Sequence, residues 1–337
     1  MARPVQFGHT MTAHLGEFDL IARYFTRPPR RAVLGVGDDC ALLAAPAPNE
    51  RLAISSDMLV EGRHFLADAD PEALGHKTLA VNLSDLAAIG AKPLAFTLAM
   101  ALPDADAGWL AGFSRGLLDL ADRHDIELIG GDTTRGPRNL CITVLGTVPQ
   151  GLALLRSSAR PGDDLWVSGT VGDARLALGH RLGEWALDAH DQTTTLRRMD
   201  RPEPRIALGL ALRGVAHAAL DVSDGLLADL GHILRASAVG ATVDTDACPA
   251  SEAVRALTPL RRRLCQLAGG DDYELLFTAP AAARHAVETA AAQAATPVTR
   301  IGRIEAEPGL RLIDAQGLVL DNVYAGFDHF RPSFSLP

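Results

Sequence analysis

The residues in this chain with the clearest chemistry are aspartates. Asp38, Asp57, Asp85, Asp132, Asp221 and Asp224 stand, most of them, just after an apolar run and among glycines or hydroxyl side chains. Ser55, Ser56 and Thr133 add neutral oxygens beside them. Magnesium takes hard oxygen ligands, commonly one or two carboxylates completed by waters and substrate phosphates. Short acids converging from several elements therefore suit a bound magnesium nucleotide. Each aspartate taken singly also fits a helix N-cap or a turn, as Asp39 does beside Asp38. The repeated context is what points to a site. The pairs Gly130-Gly131 and Gly269-Gly270 would let backbone N–H groups close on phosphate oxygens, or would serve as ordinary turns.

Several absences narrow the chemistry. The lysines are Lys77 and Lys92, and neither follows a glycine, so there is no GxxxxGK[ST] phosphate loop. No Gly-rich loop is paired with a VAIK strand and an HRD loop, and Gly35-Val36-Gly37 lacks the third glycine of a dinucleotide fingerprint. No calcium-loop pattern occurs. Cys40, Cys141, Cys248 and Cys265 are far apart and form no CxxC pair, which argues against zinc and disulfides and for a reducing cytoplasm. A net charge of −9 argues against a nucleic-acid partner. No run approaches the roughly 18 apolar residues of a membrane span, and the residues up to Gly16 lack a secretory pattern. The expectation is a cytoplasmic protein that handles phosphates through bound cations.

The elements that must position these acids follow from periodicity. A length of 337 residues, 47% of them hydrophobic, allows two domains. Helix spacing predicts helices over 17–25, 76–89 and 107–123, so that Asp85 lies inside a helix. Apolar runs at 32–36, 52–55 and 127–129 read as strands ending in Asp38, Asp57 and Asp132, and 141–148 as a further strand. Pro149, Gly151 and Pro161 mark a boundary that divides residues 1–149 from 150–337. Beyond it, strands at 165–168 and 219–222 alternate with helices from 174, over 206–216 and over 226–236. A short echo links Asn82-Leu83-Ser84-Asp85-Leu86 to Asp221-Val222-Ser223-Asp224-Gly225, though Ser-Asp is also a common capping pair.

Longer runs carry a family resemblance. Val36-Gly37-Asp38-Asp39-Cys40-Ala41, the run from Ser55 to Phe65 and the run from Val81 to Ala91 resemble the thiamine-monophosphate kinase family. Gly130-Gly131-Asp132-Thr133-Thr134, Asp221 to Leu226, Gly269 to Leu275 and Gly326-Phe327-Asp328-His329-Phe330 continue it in the same order. The resemblance implies a two-domain aminoimidazole-ribonucleotide synthetase-like fold, α+β then α/β, with the N-terminal sheet paired across a homodimer. It implies that ATP and several magnesium ions serve phosphorylation of thiamine monophosphate to thiamine diphosphate, the last step of thiamine diphosphate synthesis. By the same resemblance Asp38, Ser55, Ser56, Asp57, Asp85, Asp132, Asp221 and Asp224 hold metal. Gly131, Arg156 and Ser223 contact nucleotide, and His64, Asp271 and Phe327 contact thiamine monophosphate. No general base is implied, because the attacking phosphate oxygen is already an anion, and transfer would be in line without a covalent enzyme intermediate.

Three positions depart from the family pattern. Ser56 stands where threonine is common, Asp271 where glutamate is common, and Phe327 where an aromatic with a polar tip is common. The first keeps a hydroxyl, and the other two alter acceptor geometry. Two alternatives stay open at this point: a non-catalytic magnesium-nucleotide sensor, and another ATP-using member of the same superfamily.

Overall fold

The computed structural model describes residues 16–324 and residue 326. Its first half runs α1 (Glu17–Tyr24), β1 (Glu50–Val60), α2 (Pro71–Ala88), β2 (Lys92–Leu102), α3 (Ala107–Arg123), β3 (Glu127–Arg135) and β4 (Asn139–Pro149). A 3-10 turn, Arg156–Ser158, leads into the second half. There follow β5 (Asp163–Ser168), α4 (Asp173–Arg181), α5 (Ala189–Asp200), α6 (Ile206–Ala211), β6 (Ala218–Asp221), α7 (Leu226–Ser237) and β7 (Gly240–Asp244). The chain continues with α8 (Glu252–Arg255), α9 (Pro259–Arg263), β8 (Leu275–Pro280), α10 (Arg284–Gln293), β9 (Val298–Glu305), β10 (Gly309–Ile313) and β11 (Val319–Leu320).

Among the described residues the strands make two sheets, ordered β1-β4-β2-β3 and β11-β10-β7-β9-β5-β8-β6. The second sheet is mainly antiparallel, with β7 and β10 its parallel pair. Among the described residues no helix is long and apolar enough to cross a membrane.

Helix α2 joins the two halves. Asp70 caps it by accepting from the Ala73 N–H at 2.8 Å, and Pro71 sits in the first turn, where a missing N–H costs nothing. That cap starts the helix several residues before the expected 76. Its side chains are buried on nearly all sides, the pattern of a helix enclosed by protein rather than laid on a surface. One apolar core runs from Leu79, Leu83 and Phe113 through α2 to Leu208, Leu275 and Phe277. Truncating a fully buried leucine such as Leu83 would cost about 2–5 kcal/mol.

Local reading erred where pairing, and not pattern, set the element. The run 32–36 is no strand. It folds back on Leu42, with Val33 N–H donating to Leu42 O at 2.7 Å, and turns at Gly37, whose φ is +119°. Asp57 and Asp132 lie inside their strands and not beyond them, because β4 pairs with β1 as far as Val60 and β2 with β3 as far as Arg135. The strand β2 gave no clear sequence signal. It carries Pro93, and the register shifts between Pro93 and Ala95 to absorb the missing N–H. The helix expected over 206–216 stops at Ala211.

Candidate active site

Four of the aspartates gather where α2 meets the second half. Ser55 on β1 donates to Asp85 Oδ2 at 2.5 Å, and Ser84, one residue before Asp85 on α2, donates to Asp221 Oδ2 at 2.6 Å. The two Ser-Asp segments that echo each other in sequence therefore touch. Asp57 is set beside them through its backbone N–H, which donates to Asn82 Oδ1 at 3.0 Å. Asn82 is fixed in turn by donating to Thr78 O.

The electrostatics follow from this crowding. Burial, then the charges of Asp85 and Asp224, push the Asp57 carboxyl up to about 6. Asp221 is buried and sits beside Asp85, and both effects raise it, with the Ser84 hydrogen bond opposing them. Asp85 is raised by burial against the opposing hydrogen bond of Ser55 and the charge of Arg156. Anions held this close, away from water, call for a cation.

Asp224 follows β6, at the start of α7. The Asp229 carboxylate caps this turn, accepting from the N–H groups of Ser223, Asp224 and Gly225 at 3.0–3.2 Å. Opposite it, the loop before β8 lies along the same segment. Asp271 N–H donates to Ser223 O at 2.8 Å and Tyr273 N–H to Val222 O at 2.9 Å. A Cβ at Gly270 would lie 2.1 Å from Ser223 O, so glycine is required for this approach.

A cavity of about 480 Å³ opens beside the acids, lined by Ser55, Asp85, Ile89, Leu155, Arg156 and Ala219 among others. Arg156 is exposed at the head of the 3-10 turn, which Ser237 ties to α7 by donating to Arg156 O at 2.8 Å. The cavity thus carries one acid, Asp85, and one arginine, Arg156, among mainly aliphatic walls, a lining that fits a nucleotide with its phosphates toward the charged groups.

Comparison with known proteins agrees. The family model for AIR synthase related protein, N-terminal domain, matches residues 37–148, and that for the C-terminal domain matches residues 160–315. A thiamine-monophosphate kinase of Escherichia coli (strain K12) is 48% identical over 324 residues, 94% of this chain and 98% of that protein. The chain belongs to the thiamine-monophosphate kinase family. The crystal structure of thiamine-monophosphate kinase from Stenotrophomonas maltophilia K279a is 49% identical, with a TM-score of 0.80 over 87% of this chain and 94% of that one. AaThiL complexed with AMPPCP and TMP is 28% identical, with a TM-score of 0.74 over 85% of this chain and 89% of that one.

The family's expected site residues do not all converge. Ser55, Asp57, Asp85, Asp221 and Asp224 come together, with Arg156 at the cavity and Ser223 in the adjoining turn. Ser56 does not join them by its side chain. Alternation along β1 turns its hydroxyl to the other sheet face, where it meets Thr143 Oγ1 and Ile142 O, each at 3.0 Å. Register places Asp132 opposite Ala99, in a row with Cys141 and Met58, on that same open face. Asp38 is exposed at the Gly37 turn.

Among the described residues no three His, Cys, Asp or Glu side chains converge on one metal-sized point. The donors still fit magnesium, which needs only one or two carboxylates when phosphates and water complete its shell, and a cation there would relieve the crowding that raises Asp57, Asp85 and Asp221. Gly131 lies within β3 at φ +149°, and a Cβ there would sit 1.8 Å from Leu98 O. His64 Nδ1 accepts from Val60 N–H at 3.0 Å, which puts the proton of the neutral ring on Nε2. Phe327 lies outside the described residues.

Other contributors were missed in the sequence. Ser84 was visible only as half of an echo. Asp229, an acid in the first turn of a helix after Ser-Asp-Gly, carried a readable capping signal. Glu127 and Glu274 carried none, because their partners are remote in sequence. The Glu127 carboxylate accepts from the N–H groups of Arg30, Arg31 and Ala32 and so anchors the segment that leads to Asp38.

Proposed function

We propose that this chain transfers the γ-phosphoryl group of ATP to the phosphate of thiamine monophosphate, forming thiamine diphosphate and ADP. The observation that carries the reading is the meeting of Asp57, Asp85, Asp221 and Asp224 beside the Arg156 cavity, in a chain of this family. Magnesium would be held by Ser55, Asp57, Asp85, Asp221 and Asp224, with Asp38, Asp132 and Ser56 assigned by the family pattern. When bound, the metal would supply the charge neutralisation that two approaching anionic phosphates need. Arg156, Ser223 and the backbone at Gly131 would position the nucleotide, and His64, Asp271 and Phe327 the acceptor. With an anionic nucleophile, the protein's share is positioning and exclusion of water, without a covalent enzyme intermediate.

The same reading places the enzyme in the cytoplasm, divides it into domains near residue 149, and makes it a homodimer. Support for the dimer is the edge position of β1, whose open face shows Leu52, Ile54 and Met58 to solvent at 42%, 61% and 50% exposure. Its mass in solution tests that point.

The activity is tested by incubating the protein with ATP, magnesium and thiamine monophosphate while following thiamine diphosphate and ADP together. One-to-one formation of both is expected. ADP without the diphosphate ester, or neither product, would overturn the assignment, and ATP binding without turnover would favour a nucleotide sensor.

A further inference from the structure

We propose that Lys77 is a positioning residue of the acceptor site, holding the Asp271 carboxylate at a fixed point beside the Ser223-Asp224 turn. This deepens the kinase reading and rests on it, since the acceptor role of Asp271 comes from that reading.

The chain meets nearly all its need for positive charge with arginine, and its lysines are Lys77 and Lys92. Lys92 begins β2 and is exposed. Lys77 lies inside α2 with 4% of its surface open, and its ammonium pairs with Asp271 Oδ2 across 194 residues of chain. Burying an ammonium with one carboxylate is an expensive way to gain stability, because desolvation offsets most of the attraction.

The pair is lopsided. The Lys77 side chain is 5% exposed and the Asp271 side chain 34%. Lysine therefore grips one oxygen from the protein side, the buried Tyr273 side chain also bears on the carboxylate, and about a third of the Asp271 side chain stays open. Its backbone holds Asp271 there as well: φ is +69°, a strained value for a residue with a Cβ, and its N–H is committed to Ser223 O.

Helical spacing connects this contact to the acids. Lys77, Ser84 and Asp85 stand at i, i+7 and i+8 and share one stripe of α2. Along that stripe Ser84 holds Asp221, Asp85 accepts from Ser55, and Lys77 holds Asp271. One rigid helix thus sets the spacing between the phosphate-facing acids and a partly open carboxylate about two turns away. The thiamine skeleton carries a cationic thiazolium and an amino N–H donor, both of which a fixed carboxylate can meet. Asp200, at the end of α5, is a second carboxylate that feels both Lys77 and Asp271, so the ammonium also limits repulsion between the two acids.

The test is steady-state kinetics with ATP and thiamine monophosphate varied independently, on wild type, Lys77→Met, Lys77→Arg, Asp271→Asn and the Lys77→Met/Asp271→Asn double variant, with thermal unfolding alongside. Lys77→Met and Asp271→Asn should each raise KM for thiamine monophosphate about tenfold or more while KM for ATP stays within about twofold. The double variant should be no worse than the poorer single one, and Lys77→Arg should recover part of the loss. An acceptor KM unmoved in folded Lys77→Met, or equal rises in both KM values, would overturn the inference and leave a purely structural ion pair. Should Lys77→Met not fold, an unmoved acceptor KM in Asp271→Asn has the same force. A wild type that makes no thiamine diphosphate overturns the proposed function instead.

Discussion

Replacing Glu274 by glutamine should destabilise this protein strongly although the side chain keeps its size and shape and only exchanges one carboxylate oxygen for an NH2 group. Glu274 is fully buried behind the Asp271 turn. Its Oε1 accepts from Arg205 Nη2 at 2.5 Å and Arg198 Nη2 at 2.6 Å, and its Oε2 from Arg205 Nε at 2.7 Å and Ser168 Oγ at 2.6 Å. Glutamine keeps one oxygen. At the Oε1 position its NH2 confronts both arginine Nη2 donors; at the Oε2 position it confronts Arg205 Nε and forces the Ser168 hydroxyl, which can also accept, to turn its proton away. Two charge-assisted hydrogen bonds at about 1.5–3 kcal/mol each bracket the roughly 3–5 kcal/mol expected for breaking a buried ion pair from one side. A loss of about 4 kcal/mol corresponds to a fall in Tm of roughly 8–16 °C, at about 2–4 °C per kcal/mol.

The pH dependence has a definite sign. Burial alone would raise the Glu274 carboxyl, but the hydrogen bonds and charges of Arg205 and Arg198 outweigh it and hold the group below its ordinary value of 4.5. Stabilisation by a depressed acid is complete above that ordinary value and disappears as pH falls through the depressed one. The wild-type advantage should therefore be full near neutrality and shrink on acidification below about pH 4.5. Thermal melts of both proteins across that range check it. A neutral-pH difference below about 2 °C, or a gap that widens in acid, would refute the reasoning. The triple replacement Glu274→Met, Arg198→Met, Arg205→Met should regain part of the lost stability, since it removes the stranded donors together with the charge.

Asp57→Asn should act in the opposite sense on stability and strongly on activity. It removes a crowded, partly desolvated charge, so Tm in metal-free buffer should hold or rise. Turnover should fall about a hundredfold or more, and magnesium should stabilise the wild type more than the variant. A fall in metal-free Tm would contradict the electrostatic account, and near-normal turnover would remove Asp57 from the metal site. Glu127→Gln should loosen the segment from Arg30 to Asp38 by stranding at least one of three backbone N–H groups, at about 1–3 kcal/mol. Limited trypsin digestion should then cut faster at Arg30 and Arg31, and the magnesium concentration for half-maximal rate should rise; unchanged digestion would show that the anchor is dispensable.

Motif order, the helix beneath Asp85, the helix over 107–123 and the family itself were legible along the chain, because each depends on neighbours a few residues apart. Ser-Asp-Gly before a helix, Leu79-Leu83-Leu86 at helical spacing and an acid-rich run after an apolar one are local signals, and local physics writes them into sequence. Which acids meet is a different matter. Ser55, Ser56 and Asp57 are consecutive, yet strand alternation sends the middle hydroxyl to the opposite face, and the pairing of β3 with β2 turns Asp132 to that face too. No periodicity announces that Lys77 will reach Asp271, or that Glu274 will collect Arg198 and Arg205. Those partners are chosen by sheet register and by the enclosure of α2 between two halves of the fold, and burial then sets their charge. The chain specified the donors and their order; packing alone decided which of them share a site, because contact across a hundred residues depends on the whole fold and on no segment of it.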